Sequence, residues 1–360
     1  MQIDVPNAIA QTATFIFLFS LAIVLSAKWT KRASLFDRSL TDELKGFAIL
    51  AIILSHIGYF LVTDHDFLFP ISVLAGVGVN MFLFLSGFGL ASTSMNKDSS
   101  ALAFYKKRLT KIYLPFWLVV SILFLVDFFI IGKHYPSLTI FQTYLGFFPE
   151  ANLYQNLDSP LWYFSMIVFY YLLFPIFFRK KIYLLSPILI FLITYFITEK
   201  IYLPVTPSIL SLYKVHLLSF PLGIAAALLN TKVLKGRNIN PFKSGVLNNT
   251  LKTLSLALLG YIVAYTAINS GVGQDIKIEQ LISLVTTFCI VAIFDLLPIN
   301  FRIFSLFGLF SYEIYLFHWP LIYRYDFLYV AFPAYLATLM YLGVFLVIAI
   351  YLNKLIRRFT

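Results

Sequence analysis

The sequence predicts an all-α, polytopic transmembrane bundle of about eleven spans, with its N-terminus outside and its C-terminus inside. Three observations carry that expectation. Of the 360 residues, 60% are hydrophobic and only 12% are Asp, Glu, Lys or Arg, roughly half the charged share of an ordinary soluble domain. Mean hydropathy is +0.87. Apolar stretches close to the ~20 residues that cross a bilayer recur along the whole chain. A soluble fold of this size needs more polar residues to cover its core. The net charge of +11 is assigned to orienting spans in lipid, not to nucleic acid, so no nucleic-acid partner is expected. A single cysteine, Cys289, excludes an internal disulfide.

The first candidate span, 8–27, follows a segment with Asp4 and no Lys or Arg. A cleaved signal peptide begins positively charged, so this stretch is read as a retained helix. Lys28, Lys31, Arg32 and Arg38 come after it, which sets the N-terminus outside. The spans that alternate from there are 44–63, 70–92, 112–132, 161–178, 182–198, 211–230, 253–269, 280–297, 303–323 and 332–353. With this threading Lys133, Lys200, Lys214, Lys277 and Arg324 fall outside, and the other 22 of the 27 basic residues fall inside. An error in the count would invert every later loop and destroy that asymmetry. The longest breaks are an external loop at about 133–160 and a cytoplasmic one at about 231–252.

Ionisable groups within a bilayer are costly, and each raises a functional question. Here they are His56, Asp127, His216, Asp295, Glu313 and His318. His56 lies eleven residues after Lys45 on one helix, which is three turns plus about 20°, so both project from one stripe with a rise of about 16 Å. A cation at the cytoplasmic lip below a buried imidazole suits a long ligand with an anionic head and a reactive end. Imidazole is also the side chain best placed to take a proton near neutral pH. Equally, Lys45 can snorkel to lipid phosphates while His56 bonds a neighbouring helix.

Three further segments draw attention. Arg108 and Lys111, spaced i, i+3 ahead of Pro115, share a helix face; they can grip phosphates, or simply anchor the helix at the inner surface. In GVGVNMFLFLSGFGL (76–90), Ser86, Gly87 and Gly89 are read as helix-packing residues first and cavity wall second. The stretch Ser311 to Pro320 gathers Tyr312, Glu313, Tyr315, His318 and Trp319 on a few turns of helix. Near the outer face, Tyr154, Trp162 and Trp319 suit either sugar stacking or an interfacial belt. There is no Gly-x-Ser-x-Gly elbow, no Walker loop and no His followed by Asp at four or five positions. No metal-ligand spacing occurs, so no metal is expected.

Taken together, these segments resemble the acyltransferase 3 family, integral-membrane O-acyltransferases that modify bacterial glycans and related acceptors. The resemblance rests on Lys45 and His56, on FLFLSGFG, on Arg108 and Lys111 before Pro115, and on the ungapped run Ser311-Tyr-x-x-Tyr-Leu-x-His-x-Pro320. It divides the chain into an additional N-terminal helix and linker (1–37), an acyltransferase-like membrane domain (38–353) and a basic tail (354–360). Lys45 stands where the family most often has Arg, Lys111 is the second member of a pair usually formed by two arginines, and no Glu follows Trp162 within Met166 to Tyr170.

The resemblance implies transfer of an acyl group, most simply acetyl, from cytoplasmic acyl-CoA to a hydroxyl of a cell-surface glycan or lipid-linked sugar. It implies His56 as general base and Lys45, Arg108 and Lys111 as holders of the donor phosphates. Ser86, Asp127, Trp162, Tyr312, Glu313 and His318 become supporting or cavity residues. Acyl-CoA is then a substrate and no cofactor is permanently bound; the chain belongs in a bacterial inner membrane among its lipids. Two other readings stay open on the residues alone: a transporter or flippase of a lipid-linked or acylated saccharide, and a scaffold in a glycan-assembly complex.

Overall fold

A computed structural model describes residues 2–30, 36–97, 99–232, 246–270 and 275–358. In chain order the helices are α1 (Ala8–Leu25), α2 (Arg38–Ser55), α3 (Ala75–Asn96), α4 (Ala101–Val126), α5 (Ser137–Leu145), α6 (Trp162–Phe177) and α7 (Ser186–Lys200). They continue as α8 (Pro207–His216), α9 (Ser219–Lys232), α10 (Val246–Asn269), α11 (Ile276–Leu296), α12 (Arg302–Leu309), α13 (Ser311–Tyr323) and α14 (Ala334–Ile356). Two short antiparallel strands, β1 (Ala27–Trp29) and β2 (Ile299–Phe301), pair with each other. The class is all-α, as the composition requires. Lys31 and Arg32 of the first basic cluster, and most of the 231–252 loop with Lys235, Arg237 and Lys243, lie outside the described residues.

Among the described residues, nine helices are long and apolar enough to cross a membrane, against eleven candidate spans in the sequence. The two that differ do so for local reasons. The 182–198 candidate holds α7, whose 15 residues extend about 22 Å, short of the ~30 Å hydrocarbon layer. Pro187 sits in its first turn, where the missing N–H costs nothing and a helix readily begins. The 303–323 candidate is in two pieces: Phe310, at φ −114° and ψ 13°, interrupts it between α12 and α13. A third difference lies in α4, which begins at Ala101 and so carries Arg108 and Lys111 within its body.

The chain forms two compact units. The first comprises 4–96 and 218–309, and glycine sets its packing. A methyl group on Gly46 in α2 would fall 1.8 Å from the Phe304 carbonyl oxygen of α12, and one on Gly308 would fall 1.7 Å from the Asp42 carbonyl oxygen. The helices α3 and α9 repeat the device, with Gly87 against the Phe220 carbonyl (2.2 Å) and Gly223 against the Phe84 carbonyl (2.0 Å). Such close approach lets dispersion hold helices in a medium where apolar contact alone gives no advantage. Gly87 therefore packs as expected, whereas a methyl on Gly89 would meet no neighbouring element within 4 Å among the described residues. Between these helices Asn80 donates to Ser283 of α11 (2.9 Å) and accepts from Ser219 of α9 (2.6 Å). Helix α1 joins this unit through the Thr12 hydroxyl, which accepts from the Leu68 N–H (2.8 Å), and through the β1–β2 pair.

The second unit comprises 1–3, 97–217 and 310–360. Its core is aromatic: Phe116 of α4 and Phe164 of α6 stack at 4.1 Å, and both are fully buried. Pro115 has no N–H to offer the Lys111 carbonyl, which loosens α4 locally. One residue along, the Tyr312 hydroxyl of α13 donates to the Ile112 carbonyl. That bond satisfies backbone where proline has disturbed it.

Candidate functional site

In the first unit, Lys45 and His56 lie on one uninterrupted helix, as their spacing predicts. His56 is buried, at 8% exposure, and its ring lies 5.9 Å from that of Phe60. At His56 the α-helix becomes a π-helix that runs to Leu61, closed by the Val62 N–H bonded to the Ile57 carbonyl. Such turns frequently mark functional positions. This one is closely packed: a methyl on Gly58 would meet the Phe67 carbonyl at 2.4 Å and the Ser72 side chain at 2.8 Å. The 67–72 loop thus lies against the turn that follows the imidazole. Lys45 is half-exposed and pairs with Asp42 at 3.3 Å; Asp42 also lies 3.9 Å from Arg38. An anion reaching Lys45 must compete with that carboxylate. Ser86 of α3 is partly buried and bonds no His or carboxylate among the described residues. Glu43, absent from the residues picked out by sequence, is fully buried and accepts from the Phe301 N–H.

In the second unit, Arg108 is partly buried and Lys111 exposed, on adjacent turns of α4. Glu313 is buried and accepts from Asn353 of α14. His318 directs Nδ1 to the Tyr315 carbonyl (3.0 Å) and the Ile314 carbonyl (3.3 Å) of its own helix. That assigns Nδ1 the proton and leaves Nε2 as acceptor. Trp162 stacks at 5.8 Å on His216, a buried residue. Trp319 is 1% exposed, donates to the Leu153 carbonyl (2.7 Å) and stacks on Tyr323. Its indole is a core group and not a sugar platform.

Asp127 opens the second π turn, Asp127–Ile131, and is fully buried. Tyr135, Tyr325 and Arg324 all donate to its carboxylate. Burial, and then the bond to Asp127, push both phenols above their ordinary range, so both stay protonated donors. Asp127 is therefore committed to this knot. Arg324, read from sequence only as an external charge, is its centre: the same guanidinium also donates to the Asn156 carbonyl. Lysine cannot reproduce that fork. Arg324→Lys is expected to lose about 1.5–3 kcal/mol of stability, read as a lower melting temperature in detergent; an unchanged melting temperature would show the knot to be incidental.

Arg324 is one of four side chains, among the described residues, that donate to backbone carbonyls of the 153–160 loop. Trp319 holds the Leu153 carbonyl, Lys133 the Gln155 carbonyl, Arg324 the Asn156 carbonyl and Tyr315 the Pro160 carbonyl. Within this pinned loop Asp158 is 1% exposed, and neither of its carboxylate oxygens has a hydrogen-bond partner among the described residues. Burial pushes its carboxyl well above the ordinary 3.8, against the pull of the Arg324 charge. The lone acid before Ser159-Pro160 was visible in the sequence, yet nothing there marks it as buried.

Known proteins give this geometry a family. An acyltransferase-domain family model matches residues 42–354, a range that holds Lys45, His56, Arg108, Lys111 and the whole of α13. Acyltransferase MdmB of Streptomyces mycarofaciens is 30% identical over 151 residues, covering 38% of this chain and 38% of that protein. The chain thus aligns with well under half the length of that relative. No solved structure matches. With the matched domain spanning both units and nearly every helix described above, the chain belongs to the acyltransferase 3 family.

Proposed function

We propose that the chain is a membrane O-acyltransferase that moves an acyl group, most simply acetyl, from cytoplasmic acyl-CoA to a hydroxyl of a cell-surface glycan or lipid-linked sugar. The observation that carries this reading is His56: a buried imidazole where an α-helix turns into a π-helix, three turns from Lys45 on the same stripe, in a chain of an acyltransferase family. His56 takes the proton of the acceptor hydroxyl as its oxygen attacks the thioester carbonyl. The carbon–sulfur bond breaks, and the departing CoA thiolate recovers the proton from the imidazolium. Lys45 holds donor phosphate, and we assign the same task to Arg108 and Lys111. With lysines at two of the three positions, the grip is that of point charges, without a paired bidentate fork.

The reading includes an inner-membrane location in a bacterium, the N-terminus outside, and eleven crossings. Lys133 and Arg324, both external in that threading, reach the same 153–160 loop, which supports their sharing a face. The weakest crossing is the one through α7. Single cysteines at Lys181 and Lys200, in a Cys289→Ser background, are expected to react with an impermeant maleimide from opposite sides of the membrane. Labelling of both from one side would remove that crossing and invert the segments after it.

The donor half of the reaction is tested by purified chain in lipid nanodiscs supplied with acetyl-CoA or succinyl-CoA and a membrane-glycan extract. Thiol release above that of empty nanodiscs, greater with acetyl-CoA, is the expected result. Release with neither donor would count against acyl transfer.

A further inference from the structure

Helix α1 precedes the residues matched by the acyltransferase model, which begin at 42, yet it is tied to the chain beside His56. Its buried residues, Ala8, Thr12 and Phe15, are spaced i, i+4 and i+7 and form one stripe. Thr12 is the polar member of that stripe. A threonine inside a helix can return its hydroxyl to the carbonyl four residues back, and Thr14, Thr93, Thr194 and Thr338 do so. The Thr12 hydroxyl instead leaves its helix: it accepts from the Leu68 N–H at 2.8 Å and donates to the Asp66 carbonyl at 3.4 Å. Leu68 is fully buried and has φ at +65°, a left-handed conformation that a bulky side chain seldom adopts. Such a conformation persists where its surroundings fix it. Here Thr12 secures the Leu68 N–H, and the Ser72 N–H secures its carbonyl at 3.0 Å. The side chain of Leu68 reaches the π turn: a methyl on Gly58 would fall 3.0 Å from its Cβ, beside the Phe67 carbonyl at 2.4 Å. On the other flank of the imidazole, the Ser55 hydroxyl donates to the Ile71 carbonyl at 3.4 Å. The 67–72 loop therefore touches the chain just before and just after His56, and Thr12 ties that loop to α1.

We propose that Thr12 is a positioning residue for His56, which makes α1 a working part of the transfer apparatus and not a separate membrane anchor. The proposal rests on the acyltransferase reading, in which His56 is the base, and adds what aims it. A general base must lie within hydrogen-bond reach of the proton it takes. A misplacement of ~1 Å caused from a distance can cost about 10²-fold in rate. Without the Thr12 hydroxyl, the Leu68 N–H loses its buried partner and the left-handed backbone loses a restraint. The loop is then free to relax away from Ser55 and Gly58. The imidazole is still present, but its direction is no longer fixed. Thr12 acts through Leu68 and Gly58, not on the reacting atoms.

The test uses full-length wild type, Thr12→Val, Thr12→Ser and Thr14→Val in lipid nanodiscs. Valine keeps the shape of threonine and removes the hydroxyl. Thr14→Val is the control on the same helix, because Thr14 bonds its own Ala10 carbonyl at 2.9 Å. Amide hydrogen exchange is read segment by segment without substrate. Thr12→Val is expected to exchange faster over 55–62 and 66–72, while α11 keeps its wild-type protection. With acetyl-CoA and a membrane-glycan extract, its kcat for thiol release should fall about ten- to hundredfold at an unchanged KM for acetyl-CoA. Thr12→Ser should restore both readings, and Thr14→Val should match wild type in both. A threonine that merely supports the fold gives a different pattern: exchange rises throughout the first unit, or the chain fails to fold. That pattern, wild-type exchange at 55–62 in Thr12→Val, a wild-type kcat in Thr12→Val, or no rescue by serine would each overturn the proposal. Exchange is read without donor. If wild type transfers no acyl group while Thr12→Val still shows the expected exchange, the acyltransferase reading is rejected and the link from Thr12 to the His56 turn stands.

Discussion

His56→Ala is expected to lower acyl transfer by about 10²–10⁴-fold, the range over which a positioned general base contributes. The imidazole is removed from the end of α2, where the backbone is held by bonds that alanine also makes: the residue 56 N–H reaches the Ile52 and Ile53 carbonyls. The 67–72 loop packs on Gly58 and not on the removed ring, so the π segment should survive. His56→Gln separates the two roles of the ring. Glutamine keeps hydrogen bonding but cannot act as a base at neutral pH, so it should be as inactive as alanine. A structural histidine would behave differently, with glutamine restoring activity and alanine lowering the melting temperature. Measuring initial rates and melting temperatures of all three proteins decides between them.

The second large effect concerns folding. Gly46→Val places carbon atoms where the Phe304 carbonyl of α12 already lies, a backbone atom that cannot rotate away. Over-packing a close interface typically costs about 1–3 kcal/mol and occasionally more. With two helix backbones forced apart, Gly46→Val should lie at or beyond the top of that range, a large part of a typical domain's stability. The expected result is loss of the monodisperse peak after solubilisation. Gly89→Val is the matched control, since a methyl group there would meet no neighbouring element within 4 Å among the described residues, and it should fold as wild type does. Equal behaviour of the two variants would refute the packing argument.

How much of this was legible in the sequence depended on whether a feature is local. The Lys45–His56 stripe follows from helical period alone, and so does the shared face of Arg108 and Lys111. Membrane character follows from composition. The π turn at His56 leaves no mark in the sequence, and the loop that packs on its Gly58 begins only at Phe67. Gly87 and Gly89 look alike in sequence, but only one faces a neighbouring helix, and which one depends on where α9 packs. The span at 303–323 reads as continuous by hydropathy because the break at Phe310 is made by backbone angles and not by a proline or a polar residue. Asp127 stands out in the sequence as an ionisable group within an apolar span, yet its partners come from Tyr135, Arg324 and Tyr325, two of them almost two hundred residues away. Asp158 does not stand out, because a single acid in a loop gives no sign that four side chains will pin the loop's backbone.

The central claim is that this chain carries an acyl group from CoA to a hydroxyl through His56. Membranes holding wild type, His56→Ala at equal protein level, or no added chain should be supplied with acetyl-CoA labelled in the acetyl group. Base-labile label is then counted in the glycan fraction. The account predicts label with wild type and a background count with the other two. Label at the wild-type level with His56→Ala, or none above background with wild type, would contradict it.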